Sequence, residues 1–335
     1  MKVLFIGGTG VVSMDAVKLA VKRGFDVTVL NRGKSKMKVQ GVKTIIADIK
    51  NDAQVAELIR DKFYDVIIDC ITFEPNDMRR KLELFRDHYY QWIYISSCAA
   101  YLPGIALPIR EKISPTGNPT WEYGRGKSAC EAEIEREHLL YGANYTTIRP
   151  SETYNDYRIP GVFVANPHYG GYTILHRMRT GKPVLVMDDG NSLCPFLHSI
   201  DMARAIVGIF MNEKAMNRSF HITSDEVHSW REVTEMVAQA AGAQANIVYV
   251  PYLELAKEIP YTPLGDTYGV MTCKHYSCVF DNSAIKSVVP DFKNTISLAE
   301  GLMRVVAFYD AHNELKTIDE NLDVAMDRVA AKYQS

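Results

Sequence analysis

The sequence predicts a doubly wound α/β fold, in which helices cover both faces of a parallel sheet, followed by a smaller α/β cap. In the first half of the 335-residue chain, short apolar runs alternate with amphipathic stretches, a rhythm typical of β-α-β units. A glycine-rich turn, Gly7–Gly10, follows the first apolar run directly. After Pro150 the rhythm loosens and turn residues become frequent, which indicates a second region of different organisation.

The elements before Pro150 follow from apolar periodicity. The predicted strands, in order, are Val3–Ile6, Asp26–Leu30, Thr44–Ala47, Asp65–Asp69, Trp92–Ile95 and Tyr145–Arg149. The predicted helices are Ala16–Arg23, Asp52–Lys62, Met78–Asp87 and Gly124–Leu140. Because helices separate most of these strands, the strands are expected to run parallel.

The second half is predicted to form most of the cap. Helices are expected near Ile200–Met211 and Trp230–Ala241, and a polar helical tail near Glu314–Lys332. We assign residues 1–165 and about 198–225 to the larger domain. Residues about 166–197 and 226–335 then form the cap, which is interleaved with that domain.

Composition and charge argue against several classes of function. The net charge is −2 and 47% of the residues are hydrophobic, so neither nucleic acid nor a membrane is an expected partner. No apolar run approaches the roughly 18 residues that span a bilayer, and Met1–Ile6 is expected to be a strand, not a secretion signal. The six cysteines lack redox or zinc spacing, so we expect reduced thiols, no metal site and a cytoplasmic location.

The glycine-rich turn lies between the first strand and the first helix, where it predicts a dinucleotide site. Gly7 permits a tight turn, and Gly10 lets the backbone approach a pyrophosphate at the helix N-terminus. Ser13 takes the third glycine position, which controls helix–strand packing. An ordinary structural turn is the alternative. The residues predicted to contact the cofactor are Gly7, Thr9, Gly10, Val11 and Val12.

The end of the second strand bears on the choice between NAD and NADP. An NAD site usually has a carboxylate here for the ribose 2′-hydroxyl, whereas a nearby Arg accommodates a 2′-phosphate. This chain has Asn31 and Arg32, with Lys34, Lys36 and Lys38 close behind. We therefore predict that Asn31 and Arg32 contact the cofactor and favour NADP over NAD, although a basic surface loop is the alternative.

Tyr123 and Lys127 are four residues apart, so they share one face of the predicted helix. A cation beside a phenol favours the ionised form, and such a Tyr can exchange a proton with an alcohol or ketone. Ser97 follows the strand Trp92–Ile95, so its hydroxyl is expected over the cofactor at the carboxyl edge of the sheet. These three residues are the predicted catalytic group.

These motifs together resemble the extended short-chain dehydrogenase/reductases, the NAD(P)-dependent epimerase/dehydratase group. The matching segments are Gly7–Ser13, Asp48-Ile49, Asp65–Asp69, Ser96-Ser97, Tyr101, Tyr123, Lys127, Arg149-Pro150 and Leu197–Ala205. The resemblance implies a Rossmann-type fold with a substrate-binding cap. It makes Tyr123 the acid/base and Lys127 the ligand of the nicotinamide ribose. It also implies that Ser97 orients the substrate oxygen and that Asp48 and Ile49 flank the adenine.

The activity so implied is hydride transfer at a hydroxyl or keto carbon of a sugar or sugar nucleotide, by an epimerase or oxidoreductase. The chain is expected to be a homodimer, as many family members are. Residues expected to contact the substrate are Thr72, Ser97, Cys98, Glu152 and Arg177.

Two departures from the family pattern narrow this activity. Related sugar-nucleotide dehydratases carry Asp-Glu after the catalytic Ser or Thr, and Cys98-Ala99 here argues against dehydration. Sugar-nucleotide epimerases usually place an Arg four residues before the histidine that matches His198, and this chain has Cys194 there. Arg158, Arg177 or Arg179 could substitute for that Arg, so the nucleotide part of the substrate stays open.

Two alternatives remain from the sequence alone. One is an NADP-dependent reductase of a carbonyl compound without a nucleotide, which the Asn31-Arg32 pair favours. The other is a non-catalytic nucleotide-sensing or RNA-binding relative, against which the net charge of −2 and the Ser97, Tyr123 and Lys127 set argue.

Overall fold

The computed structural model describes residues 1–34, 39–160, 171–259 and 267–334. Its strands are β1 (Lys2–Ile6), β2 (Asp26–Asn31), β3 (Lys43–Ile46), β4 (Tyr64–Asp69), β5 (Tyr89–Ile95), β6 (Asn144–Pro150), β7 (Glu152–Tyr154), β8 (Val184–Met187), β9 (Leu193–His198), β10 (Arg218–Ile222), β11 (Val227–Ser229) and β12 (Ile247–Val250). Its helices are α1 (Met14–Lys22), α2 (Asp52–Ile59), α3 (Pro75–Phe85), α4 (Glu122–Tyr141), α5 (Thr173–Arg179), α6 (Ser199–Gly208), α7 (Trp230–Ala240), α8 (Tyr252–Glu258), α9 (Thr267–His275), α10 (Ser283–Val288), α11 (Leu298–Ala311) and α12 (Glu320–Tyr333).

The large sheet has seven strands in the order β10-β6-β5-β4-β1-β2-β3, and all neighbouring pairs are parallel. The chain builds β1 to β3 in one direction and then crosses back to place β4, β5, β6 and β10 on the other side. This reversal between β1 and β4 opens a crevice at the carboxyl ends of the strands, the usual ligand site of such sheets.

Both faces of the large sheet are buried, as a doubly wound fold requires. Val3 and Phe5 of β1 pack in one cluster with α1 and α6, while Leu4 and Ile6 point to the opposite cluster, which includes residues of α2, α3 and α4. Alternate side chains of a strand point to opposite faces, so the continuous apolar run of β1 fits a strand that is covered on both sides.

The cap is built on two small sheets, β11-β9-β7 and β12-β8. Their side chains share one core with α5, α7, α11 and α12, and Trp230 and Leu302 are each almost fully buried there. The capping box of Ser229 and Glu232 fixes the start of α7. Within the described residues, no helix is both long and apolar enough to cross a membrane.

The predicted fold class is confirmed, and all six predicted strands belong to the large sheet. Helices are displaced by a few residues at their ends: α1 begins at Met14 and not Ala16, and α6 ends at Gly208 and not Met211. The polar tail is α12 preceded by a 3₁₀ turn. The seventh strand, β10, was not predicted because it is short and contains Arg, Ser and His. The domain bounds stay a prediction, and their division at residue 165 lies outside the described residues.

Candidate active site

A cavity of about 410 Å³ lies at the carboxyl edge of the large sheet, beneath the cap. We call the part formed by the large sheet and α4 the sheet end, and it is lined by Gly10–Ser13, Cys70, Ile95–Ala99, Trp121, Tyr123 and Lys127. The opposite part is the cap end, lined by Glu152, Arg158, Leu193, Cys194, Trp230, Val270, Cys273, Lys274, Tyr276 and Cys278. Its volume is within the usual range for small-molecule sites.

Two glycines let the first turn of α4 approach the sheet edge. A Cβ at Gly124 would lie 2.2 Å from the Ala99 carbonyl oxygen, and one at Gly126 would lie 2.3 Å from the Phe73 carbonyl oxygen. Both distances are far below van der Waals contact, so only glycine permits this approach. The sequence Tyr123-Gly-Arg-Gly-Lys127 therefore seats its Tyr and Lys against the loops after β4 and β5.

Lys127 is held by the backbone at this edge and is only 3% exposed. Its Nζ donates hydrogen bonds of 2.8 Å to the carbonyl oxygens of Thr72 and Ile95. An ammonium has three donors, so these two bonds leave one donor for a ligand in the cavity. The ammonium also lies 5.6 Å from the centre of the Tyr123 ring.

A buried polar cluster lies behind Lys127. Asp69, at the end of β4, accepts hydrogen bonds from the backbone N–H and the hydroxyl of Thr72. The buried Lys81 ammonium lies 3.4 Å from Asp69 and also donates to the Thr72 hydroxyl. The cluster fixes the Thr72 carbonyl, which in turn binds Lys127. Thr72 itself does not line the cavity, so the prediction that it contacts the substrate is not supported.

Ser97 and Tyr123 both border the sheet end of the cavity. The Ser97 hydroxyl oxygen accepts a hydrogen bond of 3.1 Å from the Ala99 N–H, which orients it at the start of a 3₁₀ turn. Its own hydrogen is then available for an oxygen in the cavity. Tyr123 packs on Trp121 with ring centres 5.0 Å apart.

The glycine turn after β1 fits a dinucleotide pyrophosphate. Gly7 and Gly8 have φ values of +104° and +98°, and a Cβ at Gly7 would lie 2.8 Å from Ile71 Cγ2. The Ser13 hydroxyl accepts the Gly10 N–H at 3.1 Å, so it closes the turn and does not cap the first turn of α1. The amide groups at the start of α1 are left without a side-chain cap, the arrangement that binds phosphate.

The predicted ribose and adenine residues lie along the same edge. Asn31 ends β2 and accepts the Gly33 N–H at 2.8 Å, while Arg32 is exposed beside it. Asp48 is exposed after β3, but the Ile49 side chain is buried in the core, so it has little surface left for an adenine. Of the basic residues that favoured NADP, Lys36 and Lys38 lie outside the described residues.

Comparison with known families decides the classification. The sequence model of the NAD dependent epimerase/dehydratase family matches residues 3–222. This chain belongs to that family. Its matched region contains the glycine turn, Ser97, Tyr123 and Lys127, and ends with β10, the last strand of the large sheet.

The individual proteins to which this chain is similar share only a small part of its sequence. The chain is 27% identical over 259 residues to the chloroplast stem-loop binding protein of 41 kDa b of Arabidopsis thaliana, with 72% of this chain and 63% of that protein covered. It is 28% identical over 169 residues to a UDP-glucose 4-epimerase of Lactobacillus helveticus, with 44% and 51% covered. The matches thus span less than two thirds of these relatives. The solved structure of an epimerase from Methanothermobacter thermautotrophicus superposes with a TM-score of 0.75 and 16% identity, covering 94% of both chains, which shows the shared fold.

One residue that the sequence predicts as a substrate contact, Arg177, lies in the cap away from the cavity. Arg177 is fully buried and donates to Asp323 at 2.5 Å and to Asp327 at 2.7 Å. It also donates to the Pro183 carbonyl. Its hydrogen bonds join α5 to α12, and Arg177 does not line the cavity, so this geometry does not support the prediction that it contacts the substrate.

Five of the six cysteines line the cavity, and they are free thiols. Burial raises the pKa of Cys98 and Cys194 well above the ordinary value, and that of Cys278 to about 12. These thiols are therefore protonated near neutral pH and act as small apolar groups. Cys98 donates to the Arg149 carbonyl at 3.2 Å, so it remains a candidate for substrate contact but not a nucleophile.

A buried hydrogen-bonded chain supports the floor of the cavity. Ser96 donates to Glu131, which also accepts from Arg149 at 3.0 Å and 2.5 Å. Arg149 donates to the Tyr101 hydroxyl at 3.0 Å, and that hydroxyl lies 3.2 Å from His221 Nδ1. Burial lowers the pKa of His221 to about 4, so the ring is neutral at physiological pH. The network fixes the ends of β5, β6 and β10 relative to α4.

Most of the residues that line the cap end were not predicted from the sequence. Lys274, on α9, forms an ion pair of 3.2 Å with Glu152, and its ammonium lies 4.3 Å from the centre of a Trp230 ring. Glu152 was predicted as a substrate contact and indeed lines the cavity. No local pattern links it with Lys274, because 121 residues separate the two positions and only the fold joins them.

Proposed function

We propose that this protein is an NAD(P)-dependent epimerase or oxidoreductase that acts on a hydroxyl or keto carbon of a sugar or sugar nucleotide. The observation that carries the proposal is that Ser97, Tyr123 and Lys127 border one cavity together with the glycine turn after β1. The similarity to a UDP-glucose 4-epimerase of Lactobacillus helveticus supports a sugar nucleotide as one candidate substrate. A homodimer in the cytoplasm remains our expectation.

Different residues bind the cofactor, orient the substrate oxygen and transfer its proton in the proposed reaction. When bound, the nicotinamide cofactor supplies the hydride acceptor and donor. The first turn of α1 would hold its pyrophosphate, and the third donor of Lys127 would bind its ribose. Ser97 donates a hydrogen bond to the reacting oxygen, while the Tyr123 phenol takes or returns the proton of that oxygen. Cys98 and Ala99 offer no acid/base pair for elimination, so we propose no dehydration.

We further propose that NADP is preferred, because Arg32 is exposed beside Asn31 where a 2′-phosphate would lie. Replacing Arg32 with Ala is expected to raise the Kd for NADP by about ten- to hundredfold, the usual loss for a hydrogen bond to a charged group. The Kd for NAD should change little. Calorimetric titration of both cofactors checks this, with Arg60→Ala as the control, since Arg60 is also exposed and lies at the end of α2, away from the end of β2. An equal rise in Kd for NADP and NAD would show that Arg32 does not bind a 2′-phosphate.

The proposed activity is tested by incubating the purified protein and cofactor with UDP-glucose and with simple sugars. Net oxidation or reduction of the sugar is expected to change the absorbance at 340 nm, whereas an epimerase is expected to give an epimer by nuclear magnetic resonance with no lasting change at 340 nm. The relative of 41 kDa from Arabidopsis thaliana, which binds stem-loops by name, supports a second candidate, an RNA-binding protein. Salt-sensitive RNA binding with no turnover of any sugar would favour that candidate.

A further inference from the structure

We propose that Lys81 is a positioning residue of the hydride-transfer site, because it occupies the Asp69 carboxylate and so keeps Lys127 turned toward the cavity. The inference rests on the proposed function and adds to it a residue that touches neither cofactor nor substrate. Lys81 is on α3, is almost fully buried and does not line the cavity. Its effect must therefore pass through the residues between it and Lys127.

Asp69 is the carboxylate that Lys81 binds. It ends β4, is fully buried, and accepts hydrogen bonds of 3.1 Å from the backbone N–H groups of Ile71 and Thr72. The Lys81 ammonium lies 3.4 Å from Asp69 and also donates to the Thr72 hydroxyl, which in turn donates to Asp69. The loop after β4 is thus folded around one carboxylate and one ammonium.

Thr72 connects this ion pair with Lys127. Its N–H binds Asp69, while its carbonyl oxygen accepts hydrogen bonds from Lys127 Nζ at 2.8 Å and from the Tyr94 hydroxyl at 3.0 Å. The Lys127 ammonium also lies 4.9 Å from the centre of the Tyr94 ring. Only one residue therefore separates the Lys127 ammonium from the Asp69 carboxylate.

Two neighbouring thiols experience the same charges. Burial raises the pKa of the Cys70 thiol to about 12, and Asp69 raises it further, whereas Lys127 and Lys81 lower it. Burial also raises the pKa of Cys130 to about 12, and here again Lys127 lowers it and Asp69 raises it. These opposed effects on the same thiols agree with two ammonium groups close to one carboxylate.

The two lysines therefore compete for one buried carboxylate. In a buried setting of low dielectric constant, an ammonium is attracted more strongly to a carboxylate than to a neutral carbonyl. Lys81 already neutralises Asp69, so Lys127 keeps its two bonds to backbone carbonyls and one donor for the cavity. Without Lys81, the Asp69 carboxylate would attract Lys127 and draw its charge away from Tyr123 and from the ribose of a bound cofactor.

A purely structural ion pair is the alternative. A buried pair is usually no more stabilising than apolar side chains of the same size, whereas removal of one partner leaves an uncompensated charge. Loss of either Lys81 or Asp69 would then lower the unfolding temperature and leave the cofactor affinity of the folded protein unchanged. Positioning predicts an asymmetry instead, because only the loss of Lys81 frees a carboxylate to attract Lys127.

The test titrates NADP and NAD by calorimetry into Lys81→Met, Asp69→Asn and the double variant, and follows the thermal unfolding of each. Lys81→Met should raise the Kd for the cofactor that the wild-type protein prefers by at least about tenfold, the usual loss for one hydrogen bond to a charged group. Asp69→Asn alone should change this Kd little, since Asn keeps an oxygen for the Ile71 and Thr72 N–H groups. Adding Asp69→Asn to Lys81→Met should restore the wild-type Kd, because no carboxylate is left to attract Lys127.

Arg79→Met is the matched control for the loss of Lys81. Arg79 is on the same helix, and its ion pair of 2.6 Å with Glu133 also joins α3 to α4, so its loss tests whether a looser contact between these helices is enough. This variant should bind the cofactor like the wild-type protein. If Lys81→Met does not fold, Lys81→Gln replaces it, because Gln keeps a donor for the Thr72 hydroxyl but carries no charge.

The outcomes separate this inference from the proposed function. An unchanged Kd in Lys81→Met, an equal rise in Asp69→Asn, or a double variant that binds as weakly as Lys81→Met would each overturn the positioning role. Turnover of UDP-glucose judges the proposed function: a wild-type protein that binds cofactor and converts no sugar contradicts hydride transfer, while the cofactor affinities still decide the role of Lys81. A wild-type protein that binds neither NADP nor NAD contradicts both.

Discussion

Replacing Tyr123 with Phe should lower kcat by about a hundred- to ten-thousandfold, the usual contribution of a positioned acid or base. The substitution removes only the phenol oxygen, so the ring keeps its packing on Trp121 and its position one turn before Lys127. Cofactor affinity should change little, because the backbone bonds of Lys127 and the turn after β1 are untouched. Steady-state turnover and cofactor titration measure the two effects separately.

Tyr141→Phe is the control for this variant. Tyr141 lies on the same helix, is 55% exposed, and stacks under Arg86 at 3.7 Å, a contact that Phe can also make. Its substitution should leave kcat unchanged. If Tyr123→Phe retained more than about half of the activity, Tyr123 would lose its acid/base role.

Replacing Gly126 with Ala should also disable the site, by about a hundredfold in kcat/KM. A Cβ at this position would lie 2.3 Å from the Phe73 carbonyl oxygen, so α4 must move away from the loop after β4. That movement pulls Lys127 from the Thr72 and Ile95 carbonyls, which it binds at 2.8 Å. A displacement of about 1 Å in a catalytic site can cost a factor of this size.

This prediction opposes helix propensity, which makes it informative. Ala is favoured over Gly in a helix interior by about 1 kcal/mol, so propensity alone predicts a more stable and fully active protein. Glu135→Ala, at an exposed position of the same helix, serves as the control and should retain activity. Full activity of Gly126→Ala would show that the close approach of α4 is not required.

The large sheet could be predicted from sequence because its signals are local. The strand β1 is apolar on both faces, and the glycine turn follows it at once, so the edge of the sheet at which the cofactor is proposed to bind can be predicted from local sequence. Tyr123 and Lys127 share a helix, and their spacing alone places them together. The arrangement of Ser97 beside them also followed, because the carboxyl ends of parallel strands meet at one edge.

The cap end could not be predicted because its contacts join distant segments. Glu152 is on β7, Lys274 on α9 and Trp230 on α7, and no spacing in the sequence relates them. Arg177 shows the opposite error. The sequence predicts Arg177 as a substrate contact because it is an Arg in a loosely patterned region, whereas the fold pairs it with two aspartates on α12.

The central claim is that hydride passes between a sugar carbon and a nicotinamide held in this cavity. The most direct measurement uses UDP-glucose deuterated on the ring carbons, with mass spectrometry of both the sugar and the dinucleotide after incubation with the wild-type protein and with Tyr123→Phe. Net oxidation leaves one deuterium on the reduced dinucleotide, whereas epimerisation returns that deuterium to the other face of the same sugar carbon. We therefore predict either a singly deuterated reduced dinucleotide or an epimer that keeps all of its deuterium, and neither product from Tyr123→Phe. An oxidised or epimerised sugar that has lost deuterium to the solvent, with none on the dinucleotide, would contradict the claim.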